Sequence, residues 1–187
     1  MDLEQAIHSR RAVREYTSET LGRPMLQTLI EAAVQAPSAV NEQPWIFAVV
    51  QDRDRLALIS REAKAHLLKA PPENLALHRL RELRDDPAFD IFYHAPVLIL
   101  IASATRGRWA VENCALAAEN LMLSACAAGL GSCWIGLAQG WIATSAGKAA
   151  LVLPQDCLPV APIILGTPRT PTARVPRKDP RIRWIGG

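Results

Sequence analysis

The segment APSAVNEQPW, residues 36–45, holds two amide side chains between rigid neighbours. Asn41 and Gln43 can each donate and accept hydrogen bonds, which suits the edge of a heterocycle with mixed N, N–H and C=O groups. Ser38 and the backbone of Ala39 add polar contacts, and the flanking prolines limit the freedom that is lost on binding. The segment therefore predicts a ring-binding loop. The alternative is an ordinary helix–strand turn with Asx-type self-bonds.

Two arginines near the N-terminus, Arg10 and Arg14, are spaced i and i+4, which predicts that they share one face of a helix. Ala6 and Ser18 occupy the positions from which an acidic residue would neutralise them. Guanidinium forks match phosphate oxygens, so the pair indicates an anion site, with a solvated basic stripe as the alternative. Further forks come from cations near the C-terminus, namely Arg174, Arg177 and Lys178.

The glycine-rich segment GLGSCWIG, residues 129–136, is a third candidate. Glycine lets a backbone approach a flat ligand closely, although one such turn is weak evidence alone. The pattern is neither G-x-G-x-x-G nor a phosphate loop. The histidines lie in unrelated contexts, and no Ser/His/acid or Cys/His set has useful spacing. Anion and ring binding without an acid–base pair indicate a bound cofactor that carries the chemistry, while the protein positions it.

Composition fits one domain that spans residues 1–187, with half of the residues apolar and a net charge of +3. That charge gives no support to a nucleic-acid partner. The four cysteines show no CxxC spacing or metal-ligand pattern, so we expect buried apolar residues and no metal, with a reactive Cys133 as the alternative. The N-terminus lacks an export signal and the longest apolar run is too short to span a bilayer, so we expect a cytoplasmic protein without a membrane partner.

Irregularly interleaved helices and strands predict a mixed central sheet with helices on both of its faces. Asp2 is expected to cap a first helix whose apolar side is Leu3, Ala6, Ile7 and Val13. Later helices are expected from Pro24 to before Pro37, at 53–69, 73–84 and 109–128, and from Thr144 to Leu153; strands are expected at 46–51, 95–103, 132–138 and 160–166. Residues 167–187 contain four prolines and six basic residues, so they must run over a surface.

Five segments, taken together and in order, resemble the FMN-dependent nitroreductase family. They are SRRAVREYT, APSAVNEQPW, FYHAPVLILI, ENLMLSACAAGLGSCWIG and VAPIILGTP, and PRK near the end resembles the closing motif of the family. The resemblance covers essentially the whole chain. It implies an α+β fold with a nitroreductase-like mixed central sheet flanked by helices. It also implies an intertwined homodimer, with FMN at the interface and the arm 167–187 packed on the partner subunit.

The resemblance also implies roles for individual residues. Arg10 resembles the phosphate ligand, Arg14 the cation beside N1 and C2=O of the flavin, and Gly136 the backbone donor aimed at N5 or O4. Arg177 resembles a second phosphate cation, with Arg174 or Lys178 as substitutes. The expected cofactor-binding residues are Arg10, Arg11, Ala12, Arg14, Pro37, Ser38, Ala39, Asn41, Gln43, Trp134, Ile135, Gly136, Leu137, Arg174, Arg177 and Lys178.

The implied activity is hydride transfer from NAD(P)H to the flavin, followed by reduction of a nitroaromatic, a quinone or a similar electron-poor ring. No side chain is then required as a strict acid or base. Ala12 stands where the family often has Ser, and Ala39 where Gly or Ser is frequent. Two alternatives stay open: an FMN-dependent reductive dehalogenase or flavin-modifying enzyme, which would need a lid from residues 60–90, and a non-catalytic FMN-binding protein.

Overall fold

The computed structural model describes residues 1–69, 86 and 88–186. Helices and strands alternate irregularly along the described part of the chain. In order they are α1 Leu3–Ser9, α2 Arg23–Ala33, a 3₁₀ turn Ala39–Asn41, β1 Trp45–Val50, α3 Arg53–Leu68, β2 Val97–Ser103, α4 Ala110–Ala127, β3 Gly131–Trp134, α5 Gly136–Ile142, α6 Ser145–Ala150 and β4 Leu158–Gly166. The predicted helix at 73–84 lies outside the described residues.

The strands form one sheet in the order β1-β2-β4-β3, and each neighbouring pair is antiparallel. Within the described residues, parallel pairing enters through an isolated bridge between Ala12 and Ser132. The centre of the sheet is the pair β2 and β4, both of which are buried almost throughout. The α+β class is therefore confirmed, and the mixed character that we expected of the sheet is limited to that bridge.

Helices cover both faces of the sheet, as expected. Alternate residues of β2 point to opposite faces, because a strand has a period of two. Leu98 and Leu100 pack in one core with residues of α3 and α5, while Ile99 and Ile101 pack in the other core with α2 and α4. Nearly all of β2 therefore reads as apolar, with no alternation visible in the sequence.

Several predicted boundaries are confirmed by local geometry. Asp2 caps α1 through a full capping box, since its side chain accepts from Gln5 N and the Gln5 side chain accepts from Asp2 N. Pro24 lies in the first turn of α2. Gly129 ends α4 with a φ of 78°, in the left-handed region that glycine adopts without strain. Thr144 caps α6 by accepting from Gly147 N.

Three expectations about segment ends are wrong. Helix α1 ends at Ser9, so Arg10 and Arg14 do not share a helical face, because the backbone at Arg10 turns out of the helix and the next residues pair with β3. A further expectation, about burial, is also wrong, since Leu3 and Ile7 are 69% and 53% exposed rather than packed inward. The strand expected at 132–138 ends at Trp134, and α5 follows at once; α6 likewise ends at Ala150 rather than Leu153.

The C-terminal arm begins beside residues 15–17, which directly follow the N-terminal arginines. Thr17 N donates to Thr167 O at 2.9 Å, and Arg169 N donates to Glu15 O at 3.0 Å. Residues 171–186 contain no helix or strand and are exposed, as expected of a segment that cannot close a core alone. Among the described residues, no helix is long and apolar enough to cross a bilayer.

Candidate functional site

The arginine segment, residues 10–14, lies along strand β3. Val13 N donates to Ser132 O at 3.0 Å, and the buried Tyr16 hydroxyl donates to Val13 O at 2.7 Å. A Cβ atom added at Gly131 would lie only 2.7 Å from the Cβ of Val13, so the close approach requires glycine there. Strand β3 therefore fixes the position of the arginine segment. The chain continues from β3 into the turn that leads to α5.

Arg10 is half-buried and forms an ion pair with α4. Its Nε lies 3.3 Å from Glu119 Oε1. The sequence had offered no acidic neighbour at helical spacing, but the partner comes from a distant helix instead. The carboxylate holds Arg10 by Nε, which leaves its terminal Nη groups as donors for an anion.

Arg11 supports an anion site in a different way. Its Nη1 donates to Arg10 O at 2.6 Å, while its Nε is buried and has no hydrogen-bond partner in the described part of the chain. A buried unsatisfied donor is unusual in a folded protein and often marks an absent ion or ligand. Arg10 and Arg11 line a cavity of about 170 Å³ together with Ser9, Val13, Cys126, Gly129, Leu130, Ser132, Pro168, Pro171 and Thr172.

Arg14 is exposed and lies against an aromatic ring. Its Cζ is 5.8 Å from the centroid of the Tyr93 ring, within the range of a cation–π contact. Burial raises the pKa of the neighbouring Tyr16, while the positive charge of Arg14 opposes that shift. Tyr16 is thus a neutral hydroxyl that holds the backbone, and Arg14 is an exposed cation beside it.

The turn from β3 to α5 presents open backbone. Ile135 is buried and its N–H donates to Pro162 O at 2.8 Å, which fixes the turn on β4. Gly136 is exposed, and a Cβ added there would meet nothing within 4 Å. Trp134 and Leu137, on either side, are half-buried. A flat molecule could therefore approach the Gly136 backbone without moving any described residue.

In the single chain, residues of the predicted ring-binding loop form hydrogen bonds with one another. Gln43 N donates to Ser38 Oγ at 2.9 Å, and Gln43 Nε2 donates to Asn41 Oδ1 at 2.8 Å. These are the self-bonds of the alternative reading. The backbone is nevertheless unusual, since Val40, Asn41 and Gln43 all have positive φ between 47° and 56°. Such strain costs about 1–3 kcal/mol per residue and gathers at functional sites.

One chain does not bring the loop and the arginine segment together. Among the described residues, no hydrogen bond or ion pair joins the two. The loop bonds to Asn113, whereas Arg10 pairs with Glu119, six residues later on the same helix. Six residues correspond to about 9 Å along a helix and about 120° around it. Arg10, Ala12, Arg14 and Gly136 therefore form one half of the predicted site, and Ser38, Ala39, Asn41 and Gln43 form another.

Arg11, Trp134, Ile135 and Leu137 are chain neighbours of the first half, and the other predicted residues lie outside both halves. Arg174, Arg177 and Lys178 are exposed on the arm and have no partner among the described residues, and exposed Pro37 only enters the loop. Three of the cysteines are buried, while Cys126 is half-buried, which the sequence did not predict. Within the described part of the chain, no group of His, Cys, Asp and Glu side chains could hold a metal ion.

Four residues that the sequence did not single out contact the predicted site residues: Glu42, Tyr93, Asn113 and Glu119. Tyr93, Asn113 and Glu119 each contact a site residue far away in the chain, so no local spacing predicts the contact. Glu42 lies close in the chain to Ala39, to which its N–H donates. Glu42, Tyr93 and Glu119 fall inside segments that carry the family resemblance, although none of them had been given a role.

Comparisons with known proteins agree with the resemblance. A sequence model described as the Nitroreductase family matches residues 7–158. A nitroreductase from Bacteroides fragilis, solved with bound FMN, is 26% identical, superposes with a TM-score of 0.82 and covers 99% of each chain.

Two curated relatives match shorter segments. Iodotyrosine deiodinase 1 of Mus musculus is 31% identical over 107 residues, which is 55% of this chain and 37% of the deiodinase. The NADH dehydrogenase of Thermus thermophilus is 36% identical over 73 residues, which is 38% of this chain and 36% of that protein. The chain thus spans little more than a third of the length of these curated relatives.

Proposed function

The chain belongs to the nitroreductase family, and from that premise we propose that it is an FMN-dependent oxidoreductase. When bound, FMN would take two electrons as hydride from NAD(P)H and pass them to a nitroaromatic, a quinone or a similar electron-poor ring. The supply of NAD(P)H and the reduced cysteines favour a cytoplasmic location.

A single observation carries this proposal: the Ala12–Ser132 bridge ties the arginine segment to strand β3, which ends at Trp134, two residues before Gly136. Cations that suit a phosphate and an electron-rich ring edge are therefore attached to the same strand that leads to an open backbone, which suits a flat molecule. Neither feature alone is specific. Their joint attachment to β3 favours one ligand that is phosphorylated at one end and planar at the other.

The described residues offer groups that suit FMN. Arg10, whose terminal Nη groups have no partner among the described residues, would hold the phosphate, and Arg11 lines the same cavity. Arg14 would lie beside the N1 and C2=O edge of the ring, where a fixed positive charge favours electron uptake. The Gly136 N–H, in a turn held by Ile135, would donate to N5 or O4. Ala12, without a hydroxyl, would contribute backbone contacts only.

We propose that the site is completed by a second copy of the chain. The strained loop would supply Ser38, Ala39, Asn41 and Gln43 to the arginine segment of the partner. The separation of the two half-sites in one chain supports this arrangement, because the ring-binding loop otherwise has no ring to bind. Val40, which is 98% exposed at a φ of 48°, would be covered by the partner.

The arm, residues 167–187, would pack at the edge of the partner's sheet. Residues 181–185 read R-I-R-W-I, so Ile182 and Trp184 would share one face of an extended strand. Trp184 is 87% exposed in the isolated chain. Strand β1 lies at an edge of the sheet, beside a cavity of about 480 Å³ that Val49 and Val152 line. An arm strand paired there would protect a free edge and bury apolar side chains.

Reductive dehalogenation is a second candidate, which the match to iodotyrosine deiodinase 1 favours. It would use the same FMN half-sites and differ in the cover over the substrate. That cover would come from residues 60–90, part of which lies outside the described residues. Turnover of 3-iodotyrosine by the reduced protein separates this candidate from reduction of nitro compounds or quinones.

The experiment that tests the proposal is purification followed by cofactor identification and turnover. We expect a yellow protein that releases FMN on denaturation and oxidises NADH or NADPH in the presence of menadione or nitrofurazone. A protein that binds FMN but supports no oxidation of either nicotinamide would favour a non-catalytic FMN-binding role. A protein that stays colourless after incubation with excess FMN would overturn the proposal.

A further inference from the structure

We propose that Asn113 and Glu42 form a latch that sets the conformation of the loop 38–43, and that Asn113 is a positioning residue for FMN binding. The inference rests on the proposed function, because it assumes that this loop contacts the ring. It goes beyond that function by assigning a role to residues that would themselves touch neither ligand nor reacting atoms.

Asn113 lies in the first turn of α4 and is only 2% exposed. All of its polar groups are paired. Its Oδ1 accepts from Ala39 N at 2.9 Å, its Nδ2 donates to Glu42 Oε2 at 3.3 Å, its carbonyl accepts from Trp45 Nε1 at 3.0 Å, and its N–H donates to Trp109 O. One buried side chain therefore grips the loop at its start, through Ala39, and at its end, through Glu42.

Glu42 completes the latch from the loop side. Its second carboxylate oxygen, Oε1, accepts from Thr105 Oγ1 at 2.9 Å, just beyond the end of β2. The loop is thus tied to α4 and to the end of the central strand at once. Donor and acceptor types fix the orientation of Asn113, because its amide oxygen must face the Ala39 N–H and its NH₂ must face the carboxylate.

The two anchors of the latch flank the part of the loop whose backbone is strained. Val40 and Asn41, between the two anchors, have positive φ, and a β-branched residue such as Val40 rarely adopts that conformation. Without the anchors, the segment would relax toward less strained conformations, and Asn41 and Gln43 would lose their fixed directions. A ligand that needs those directions would then bind more weakly, because ordering the loop would oppose binding.

The test is a swap of donor and acceptor across the latch. Asn113→Asp keeps the acceptor for Ala39 N but places a carboxylate against Glu42, so we expect FMN to bind about tenfold more weakly to the apo protein. Adding Glu42→Gln restores a donor–acceptor pair with the roles exchanged. The double variant should therefore bind FMN within about threefold of the wild type. Binding is measured by quenching of flavin fluorescence, independently of turnover.

A second readout follows the loop directly. Hydrogen exchange of the Ala39 amide in the apo protein should accelerate in Asn113→Asp and slow again in the double variant. If Asn113→Asp does not fold, Glu42→Ala takes its place, since Glu42 is exposed; it should accelerate exchange and weaken FMN binding about threefold. Glu112→Ala, an exposed carboxylate in the same turn of α4, is the matched control and should change neither quantity.

The outcomes separate this inference from the proposed function. If the wild type binds FMN and the swap restores both affinity and amide protection, the latch is supported. Unchanged affinity in Asn113→Asp, or a double variant no better than the single one, would overturn the latch and leave FMN binding intact. If the wild type itself fails to bind FMN, the proposed function is wrong, and exchange at Ala39 still decides whether the latch exists.

Discussion

The guanidinium carbon of Arg14 lies 5.8 Å from the centroid of the Tyr93 ring. Tyr93 in turn meets Phe89 edge to face, with the two ring centroids 5.4 Å apart. The aromatic pair belongs to the segment before β2, and the ring of Tyr93 contacts the guanidinium group of Arg14. Arg14 is therefore oriented before any ligand binds. This reduces the entropic cost of ordering its side chain when FMN binds.

Replacing Tyr93 tests this support. We expect Tyr93→Leu to weaken FMN binding about two- to fivefold, because a partly exposed cation–π contact is worth about 0.5–1 kcal/mol. Tyr93→Phe keeps the ring face and should bind FMN like the wild type. Flavin fluorescence titrations measure both. Equal losses in the two variants would assign the effect to the hydroxyl and contradict a cation–π role.

Gly136 gives a prediction about the ligand itself. Because a Cβ added there meets nothing within 4 Å, Gly136→Ala should leave the thermal stability of the apo protein unchanged. The methyl group would nevertheless lie against the flavin, so FMN affinity should fall at least about tenfold. Gly131→Ala is the matched contrast: its Cβ would meet Val13 at 2.7 Å, so stability and FMN affinity should both fall. Unchanged FMN binding by Gly136→Ala would remove Gly136 from the site.

The arm offers a prediction about assembly. A chain that ends at residue 170 lacks Ile182 and Trp184, and we expect it to sediment as a monomer and to lose FMN binding. The pair Arg177→Ala and Lys178→Ala keeps the apolar residues, so that variant should remain a dimer and lose only phosphate affinity, by about tenfold. Analytical ultracentrifugation and FMN titration give the two quantities. A truncated chain that still forms dimers would show that the arm does not hold the subunits together.

Cys114 predicts a pH dependence of stability. Burial raises the pKa of its thiol from 9.0 to about 12, so the folded state keeps a proton that the unfolded state loses between those values. Stability should therefore fall as the pH rises above 9, by up to about 1.4 kcal/mol per pH unit for this group. Cys114→Ala should be less stable at pH 7 but show a shallower alkaline loss. Urea unfolding at several pH values measures the difference, and Cys126→Ala, at a half-buried position, should keep the steep loss.

Much of the fold could be predicted from the sequence, because its main elements have strong local signals. The apolar spacing of Leu26, Leu29 and Ala33 defines α2, and the apolar run of β2 defines the central strand. The error at Arg10 and Arg14 has a tertiary cause. Pairing of Ala12 with Ser132 extends the backbone where the local spacing favours a helix, so long-range pairing outweighs propensity. Helix α5 was missed because its two glycines weaken any helical signal.

The sequence predicted the loop residues of the candidate site but not the residues that anchor them. Loop residues such as Asn41 were found because rigid neighbours and paired amides are visible along the chain. Their anchor Asn113 was not, because it lies 74 residues from Ala39 and 71 from Glu42 in the sequence. A buried amide that satisfies distant backbone groups leaves no periodic pattern. The same reason hides the contact between Glu119 and Arg10.

The most direct test of a shared site is to mix two defective chains. One carries Arg10→Ala and Arg14→Ala, and the other carries Asn41→Ala and Gln43→Ala; each alone should bind little FMN. Co-expressed in equal amounts, they form mixed dimers in about half of cases, and each mixed dimer has one intact site and one doubly defective site. We expect tight FMN binding at about a quarter of the sites, whereas no recovery above the separate variants would contradict a site built from two chains.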